Sequence, residues 1–536
     1  MKYWKSRSII IVLAIVLLIP VVSLSDSADR RQRPDSCTSI MVGRKASTDG
    51  STITAHTCDG PYRTWVEIVP GKEHGGDART AIYTGKHWTR TPDDRQSLKE
   101  TGEIPQAERT YSFLNTSYPA MNEHQLAMGE TTIIANRLLK SNKGLFLIEE
   151  LQRVALQRCT TAREAIRLMG DLIRDYGYID GAECLTIIDP REVWMFEVYG
   201  PGLGNQGGVW AAARIPDDHV GVSANSPRIG RINLDNPDYF MASDNIYSQA
   251  RELKLWDGNE PFEVSRVYGD RSEEGRKRYL KYCRLREWWV LNALAPSLKL
   301  DAEAGDLPFS VKPDHRVSVR KVMDLYRAHY AGTPYDMIQN LGRKDPKTGT
   351  ITVSNAVHPW INRRLMALFN DLVPGVIDFS RYIAINYCAY STVIQSRSWL
   401  PDPVGGITWL AFDNPALAVR IPVFAGTRKL LDEFHVSNQK GYRTDSAAWA
   451  YRRAIRLSQP RWDKNRAVME GVIKEYEDKA FHELPGLEER VTALLKEDRE
   501  KALEVLTDYV LNFSRMVLRR YWELGDSFWP LYTDGF

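Results

Sequence analysis

The chain has 536 residues, 71 Lys and Arg against 68 Asp and Glu, and a formal charge of +3 at pH 7. Six of those basic residues and three of the acidic ones fall within residues 1–36, which leaves 65 of each beyond that point. A near-neutral chain with no basic tract has no footprint for nucleic acid or an anionic membrane surface, and 15 tryptophans with 10% aromatic residues exclude a disordered protein and demand a large buried core.

The first 28 residues read as a signal peptide. Lys2, Lys5 and Arg7 form a positive start, an apolar run covers 9–22, and Ser23, Ser25 and Ala28 are small residues of the kind that precede a cleavage site. The run of about 14 residues is shorter than the roughly 20 a spanning helix needs, so export is expected, with an uncleaved anchor as the alternative. A polar stub, 29–36, then separates the leader from Cys37 and reads as a short propeptide.

Residues 38–69 carry a β pattern: SIMVG, a turn at Asp49-Gly50, TITAHT, then WVEIV ending at Pro70-Gly71. Residues 72–110 are polar and punctuated and are expected to form a long surface excursion, with further strands at 111–114 and 125–134. Helical spacing begins near Lys143, and Thr161 with Glu164 forms a capping box opening a second helix. Four strands follow within 183–225, then mostly helix over 240–300 and at 318–330. Strand signals return at TGTITVS, RYIAINY, TVIQSRS and GGITWLAF, and the last hundred residues are helical, with 483–525 as one long segment that needs a packing partner. Strands, paired helices and strands again suit an α+β layered fold of stacked antiparallel sheets. The expected organisation is a core over 37–430 and a helical C-terminal extension over 431–536 packed on it.

Cys37 is the residue around which chemistry can be organised. A thiol attacks only as thiolate, and at an ordinary pKa of about 8.5 it needs a base. A residue at the start of a mature chain carries its own: a free α-amine with a pKa of roughly 7.7 to 8. His56 and Asp59 end the second strand, where strict alternation puts His56 on one face and Asp59 on the other. Asp59 would orient the amine of Cys37, and His56 would lie near the thiol and favour its ionised form. Asn225 ends the strand HVGVSAN and could donate to the oxyanion of a tetrahedral intermediate, with Thr131 and Thr132 as helpers. The bland readings are a turn-forming Asp, a packed His and an Asn that starts a turn.

Other chemistries fail on their spacing. Gly202, Gly204 and Gly207 make GxGxxG, but a strand follows where a dinucleotide site needs a helix, so a hairpin loop is expected. No HExxH, GxSxG or close Cys/His cluster is present, so neither metal nor cofactor is expected. The six cysteines, Cys37, Cys58, Cys159, Cys184, Cys283 and Cys388, are widely and irregularly spaced, and most sit in apolar or helical surroundings, which favours free thiols.

CTSIMVGRKASTDGSTITAHTCDG, PAMNEHQLAMGETTI, GLFLIEELQRVALQRCTTAREAIRLM and GVWAAARIPDDHVGVSANSPRI, in this order, together resemble the dipeptidase A family of cysteine peptidases within the N-terminal nucleophile (Ntn) hydrolases. The resemblance implies a four-layer αββα sandwich, self-cleavage at the Ser36–Cys37 bond, and metal-free hydrolysis of small peptides. It matches Cys37 to the nucleophile, Asp59 to the carboxylate near the amine and Asn225 to the oxyanion donor. Acylases of the same superfamily usually carry arginine where this chain has His56, and histidine does not keep its charge as arginine does. The implied activity is that of an exported cysteine dipeptidase. Its partner is a small peptide substrate, without nucleic acid or stable membrane insertion, and a homo-oligomer stays open. The alternatives are an N-acyl amidase of the same superfamily and a non-catalytic envelope protein with structural cysteines.

Overall fold

The computed structural model describes residues 37–354, 357–439 and 441–532. The expected signal peptide and propeptide lie outside the described residues.

The strand β1, Thr38–Val42, runs antiparallel to β2, Thr52–Asp59, with Ser39 opposite His56 and Val42 opposite Ile53. Asp49 shapes the turn between them by accepting from both the backbone N–H and the hydroxyl of Ser51, and Gly50 supplies the positive φ of 86°. This hairpin lies inside a seven-stranded antiparallel sheet. Strand order runs from Ser310–Val311 through Val220–Ser223, β1, β2, Cys388–Ser396 and Ile407–Phe412 to Ile421–Phe424. A second antiparallel sheet has eight strands, among them Ala127–Thr132, Ala182–Ile188, Val193–Tyr199 and Val209–Arg214.

The two sheets meet across β1 and β2 through side chains that are polar as often as apolar. Thr54 and Thr186 share a 2.6 Å hydroxyl contact, Thr52 donates to the Asp189 carbonyl at 2.6 Å, and Thr131 meets Ser223 at 2.6 Å. Buried hydroxyls are tolerated because each finds a partner on the facing sheet. Gly129 permits the close approach: a Cβ there would lie 3.2 Å from the Ala55 carbonyl oxygen and from the Ser39 hydroxyl on the facing sheet. Strand 127–132 is thereby set directly over the β1–β2 hairpin.

Helices cover the other faces. Ala162–Tyr176 begins with the expected capping box, both reciprocal bonds of Thr161 and Glu164 being present, and packs on strands 193–199 and 209–214. Arg284–Leu294 and Val319–Tyr326 pack on the seven-stranded sheet. At the C-terminal end, Ala447–Ser458, Trp462–Glu497 and Arg499–Phe528 pack on one another, and Ala447–Ser458 and Arg499–Phe528 also reach strands 407–412 and 421–424. No helix among the described residues is long and apolar enough to cross a membrane.

The surface excursion expected over 72–110 is built of hairpins, Arg79–Thr84 with Lys99–Pro105 and Lys72–Glu73 with Arg109–Thr110. Two other expectations change. Residues 381–387 form no strand, because pairing starts only at Cys388 after a run of turns that turns Arg381 inward to Asp59. The segment 483–525 is broken at Asp498, whose extended backbone stops one helix while its carboxylate caps the next by accepting from the Lys501 N–H. The GxGxxG stretch is the connection between antiparallel strands 193–199 and 209–214, as its sequence context implied, with Gly202, Gly204 and Gly207 all at positive φ. All six cysteines are buried, and no disulfide joins them in the described residues.

Candidate active site

Cys37 immediately precedes β1. Continuing the register past the Thr38–Thr57 pair brings it beside Cys58 and Asp59, and the Asp59 backbone N–H donates to the Cys37 sulfur. The side chain is fully buried. Burial pushes the thiol well above its ordinary value, and the negative charges of Glu130 and Asp59 add to the rise, so this environment favours the neutral thiol. Ionisation there needs a base in direct contact.

Asp59 points to the face opposite His56, where its Oδ2 accepts from the Thr57 hydroxyl at 3.0 Å and from Arg381 Nη2 at 2.7 Å. Burial pushes its carboxyl up and Arg381 pulls it back. Its other oxygen, Oδ1, is buried and has no hydrogen-bond partner among the described residues. A buried carboxylate oxygen without a donor is costly, and a donor placed beside it is correspondingly favoured.

Asn225 follows strand 220–223 in the left-handed region, φ 69°, a conformation asparagine adopts more readily than most residues. Its amide nitrogen donates one hydrogen to the Thr132 carbonyl at 2.6 Å, leaving the second for a ligand. Its Oδ1 accepts from Arg286 Nη2 at 2.8 Å. Arg286 is the residue that joins the site. Fully buried on helix 284–294, it donates from Nη1 to the Cys37 carbonyl at 2.6 Å and the Thr38 hydroxyl at 2.9 Å, from Nη2 also to the Ala224 carbonyl, and from Nε to the Tyr282 carbonyl. One planar guanidinium thus holds the backbone of Cys37 and the side chain of Asn225 in fixed relation.

His56 departs from its expected role. Nδ1 lies 2.7 Å from the Glu130 carbonyl oxygen and 3.2 Å from the Glu130 nitrogen, and burial pulls the ring down to about 4. It is therefore neutral at neutral pH, and a neutral ring cannot supply the positive charge expected to favour the thiolate. The same shift has a stability consequence. The unfolded chain takes up a proton as pH falls through the ordinary value of 6.5 while the folded chain resists until about 4, so stability present above pH 6.5 is lost over that window. Relative to His56→Gln, the wild type should lose about 3 kcal/mol more of unfolding free energy between pH 7 and pH 4, read from denaturant titrations at each pH.

The Cys37 sulfur, a His56 ring nitrogen and a Glu130 carboxylate oxygen lie within 4.8 Å of one another, the one such group among the described residues with spacing that could hold a metal ion. Sequence spacing did not reveal it, because Glu130 comes from a different sheet. Arg286 and Arg381 were missed as well. Each lies in a stretch whose pattern signals helix or strand and nothing more, and only tertiary contact shows them to be buried.

The nucleophile candidate, its neighbouring carboxylate and the amide of Asn225 therefore converge at one end of the β1–β2 hairpin. Residues 36–475 match Peptidase family C69, and the chain belongs to that family of peptide hydrolases. Among relatives, a probable dipeptidase of Latilactobacillus sakei is 28% identical over 403 residues, covering 73% of this chain and 74% of its own. Probable dipeptidase A of Streptococcus pyogenes serotype M1 is 23% identical over 515 residues, covering 92% and 96%. Dipeptidase A of Lactobacillus helveticus is 23% identical over 402 residues, covering 72% and 75%.

Proposed function

We propose that this chain is an exported cysteine dipeptidase with an Ntn-hydrolase αββα core, and that Cys37 becomes its N-terminal residue by self-cleavage of the Ser36–Cys37 bond. The observation that carries the reading is the Arg286 guanidinium, which fixes the Cys37 carbonyl and the Asn225 side chain together. The curated relatives bear dipeptidase names, and helices flank both sheets, as the layered core requires.

In self-cleavage the thiol attacks the Ser36 carbonyl carbon, the C–N bond breaks as the C–S bond forms and so frees the Cys37 amine, and water then hydrolyses the thioester to release the thiol and the Ser36 carboxylate. That amine would meet the unpartnered Asp59 Oδ1 and supply the base that a buried, neutral thiol lacks. In turnover the Cys37 amine takes the thiol proton and the sulfur attacks the peptide carbonyl carbon. The second amide hydrogen of Asn225 then stabilises the oxyanion. The amine returns the proton to the leaving nitrogen, and water releases the acyl group by the same route. His56 serves by holding the Glu130 backbone rather than by charge.

Asn225→Ala should lower kcat on a dipeptide by roughly 100- to 1000-fold with a much smaller change in KM, measured by steady-state kinetics on correctly processed protein. An equal fall in 1/KM with kcat intact would assign Asn225 to ground-state binding and remove it from the oxyanion role.

A further inference from the structure

Beside the thiol lies a group of buried carboxyls that the mechanism above does not use. Glu130, on strand 127–132, places a carboxylate oxygen within 4.8 Å of the Cys37 sulfur. Two residues on, Thr132 donates to Glu130 Oε1 at 3.4 Å, and its partner on the adjacent strand is Glu183, so the three side chains share one face of the sheet. The Glu183 carboxyl is hydrogen-bonded to that of Glu130, is 3% exposed, and keeps its Oε2 buried without a partner among the described residues. The hydroxyl of fully buried Tyr178, close to both glutamates, is likewise unpartnered among the described residues. The Tyr118 ring closes the group, 5.7 Å from the His56 ring and near enough to Glu130, Glu183 and Cys37 to feel their charge.

Buried oxygens left without donors describe a site for a ligand that brings several N–H groups and positive charge. A free peptide has such a group close to its first peptide bond. The α-nitrogen is two bonds from the carbonyl carbon, about 2.5 Å in space, and attack requires that carbon roughly 3 to 3.5 Å from the sulfur. A carboxylate within 4.8 Å of the sulfur can therefore bond the ammonium while the carbonyl is in line for attack. The C-terminal carboxylate of the same dipeptide is repelled from this side, which fixes the direction of binding.

We propose that Glu130 and Glu183 form the subsite for the free α-ammonium of the substrate, so that the enzyme takes unblocked peptides and the acyl group passed to Cys37 is the substrate's N-terminal residue. The inference rests on the reading of Cys37 as nucleophile. Burial first, then the charge of Glu130, pushes the Glu183 carboxyl well above the usual carboxylate range, so the pair avoids carrying two adjacent negative charges and suits a single ammonium. The Tyr118 ring adds a face that attracts a cation. An N-acylated substrate would instead turn a neutral amide with its own acceptor oxygen toward these oxygens and leave them unpaired.

The test compares alanyl-leucine with propionyl-leucine, which differs only in lacking the amine, on processed wild-type enzyme and on Glu130→Gln and Glu183→Gln. The wild type should prefer alanyl-leucine by about 100-fold or more in kcat/KM, and either variant should shrink that preference at least tenfold by losing rate on the dipeptide. Wild-type enzyme that cleaves both compounds within about threefold of each other overturns the subsite and leaves the nucleophile reading standing, and so does a preference that survives in both variants. Wild-type enzyme that cleaves neither overturns the subsite and the dipeptidase reading together. Should both variants fail to fold, Glu130→Asp and Glu183→Asp, which keep the carboxylate but draw it back by one methylene, are compared on the same two substrates and read in the same way.

Discussion

Cys37→Ala should abolish dipeptide hydrolysis, lowering turnover by at least about a thousandfold while the protein stays folded. The side chain is fully buried, but alanine removes only the sulfur and the one bond it accepts from the Asp59 N–H, while the Arg286 contact goes to the Cys37 carbonyl, which the substitution keeps. The stability cost should stay near that of a small cavity, about 1 to 2 kcal/mol. Kinetics with alanyl-leucine beside a denaturant titration separate the two effects. Full turnover in the variant would place the chemistry elsewhere.

Arg286→Met should give the largest loss of stability among the site substitutions. The guanidinium satisfies five acceptors, four of them buried: the carbonyls of Cys37 and Ala224 and the side-chain oxygens of Thr38 and Asn225, with the part-buried Tyr282 carbonyl as the fifth. Methionine fills much of the volume and satisfies none of them, so the unfolding free energy should fall by roughly 3 to 5 kcal/mol. Activity should fall with it, because Asn225 loses the partner that aims its amide. Arg286→Lys restores the charge without the planar fork and should recover part of the stability but little of the rate. Equal recovery of both would mean that charge alone, without fixed geometry, is what the site needs. Arg286 itself carries burial that lowers its affinity for a proton, yet its contacts are carbonyl and side-chain oxygens that favour the charged form.

The local part of this site was legible in the sequence. Cys37, the Asp49-Gly50 turn and Asp59 belong to one hairpin, and alternation along β2 places His56 and Asp59 on opposite faces, as the structure has them. Asn225 was legible as a strand end. The helix opened by Thr161 was legible because a capping box is a short-range pattern.

What stayed hidden depends on tertiary burial. In RLREWW, Arg286 looks like any charged residue of an amphipathic helix, and in GETT, Glu130 looks like the exposed side of a strand. Their burial comes from the packing of helix 284–294 on strand 220–223 and of one sheet on the other, which no local window contains. The role assigned to His56 failed for the same reason, since only the depth of the ring between the sheets reveals that its charge is lost. The excursion at 72–110 hid its hairpins because its strands are short, mostly exposed or half-buried and too polar to show a clear period of two.

Intact mass measurement of the purified, active protein decides whether Cys37 is the N-terminal nucleophile. A chain that begins at Cys37 is expected, and a Cys37→Ala protein that keeps residues N-terminal to position 37. Full turnover by a wild-type chain still carrying Ser36 would contradict it, because Cys37 would then have no free amine to act as its base.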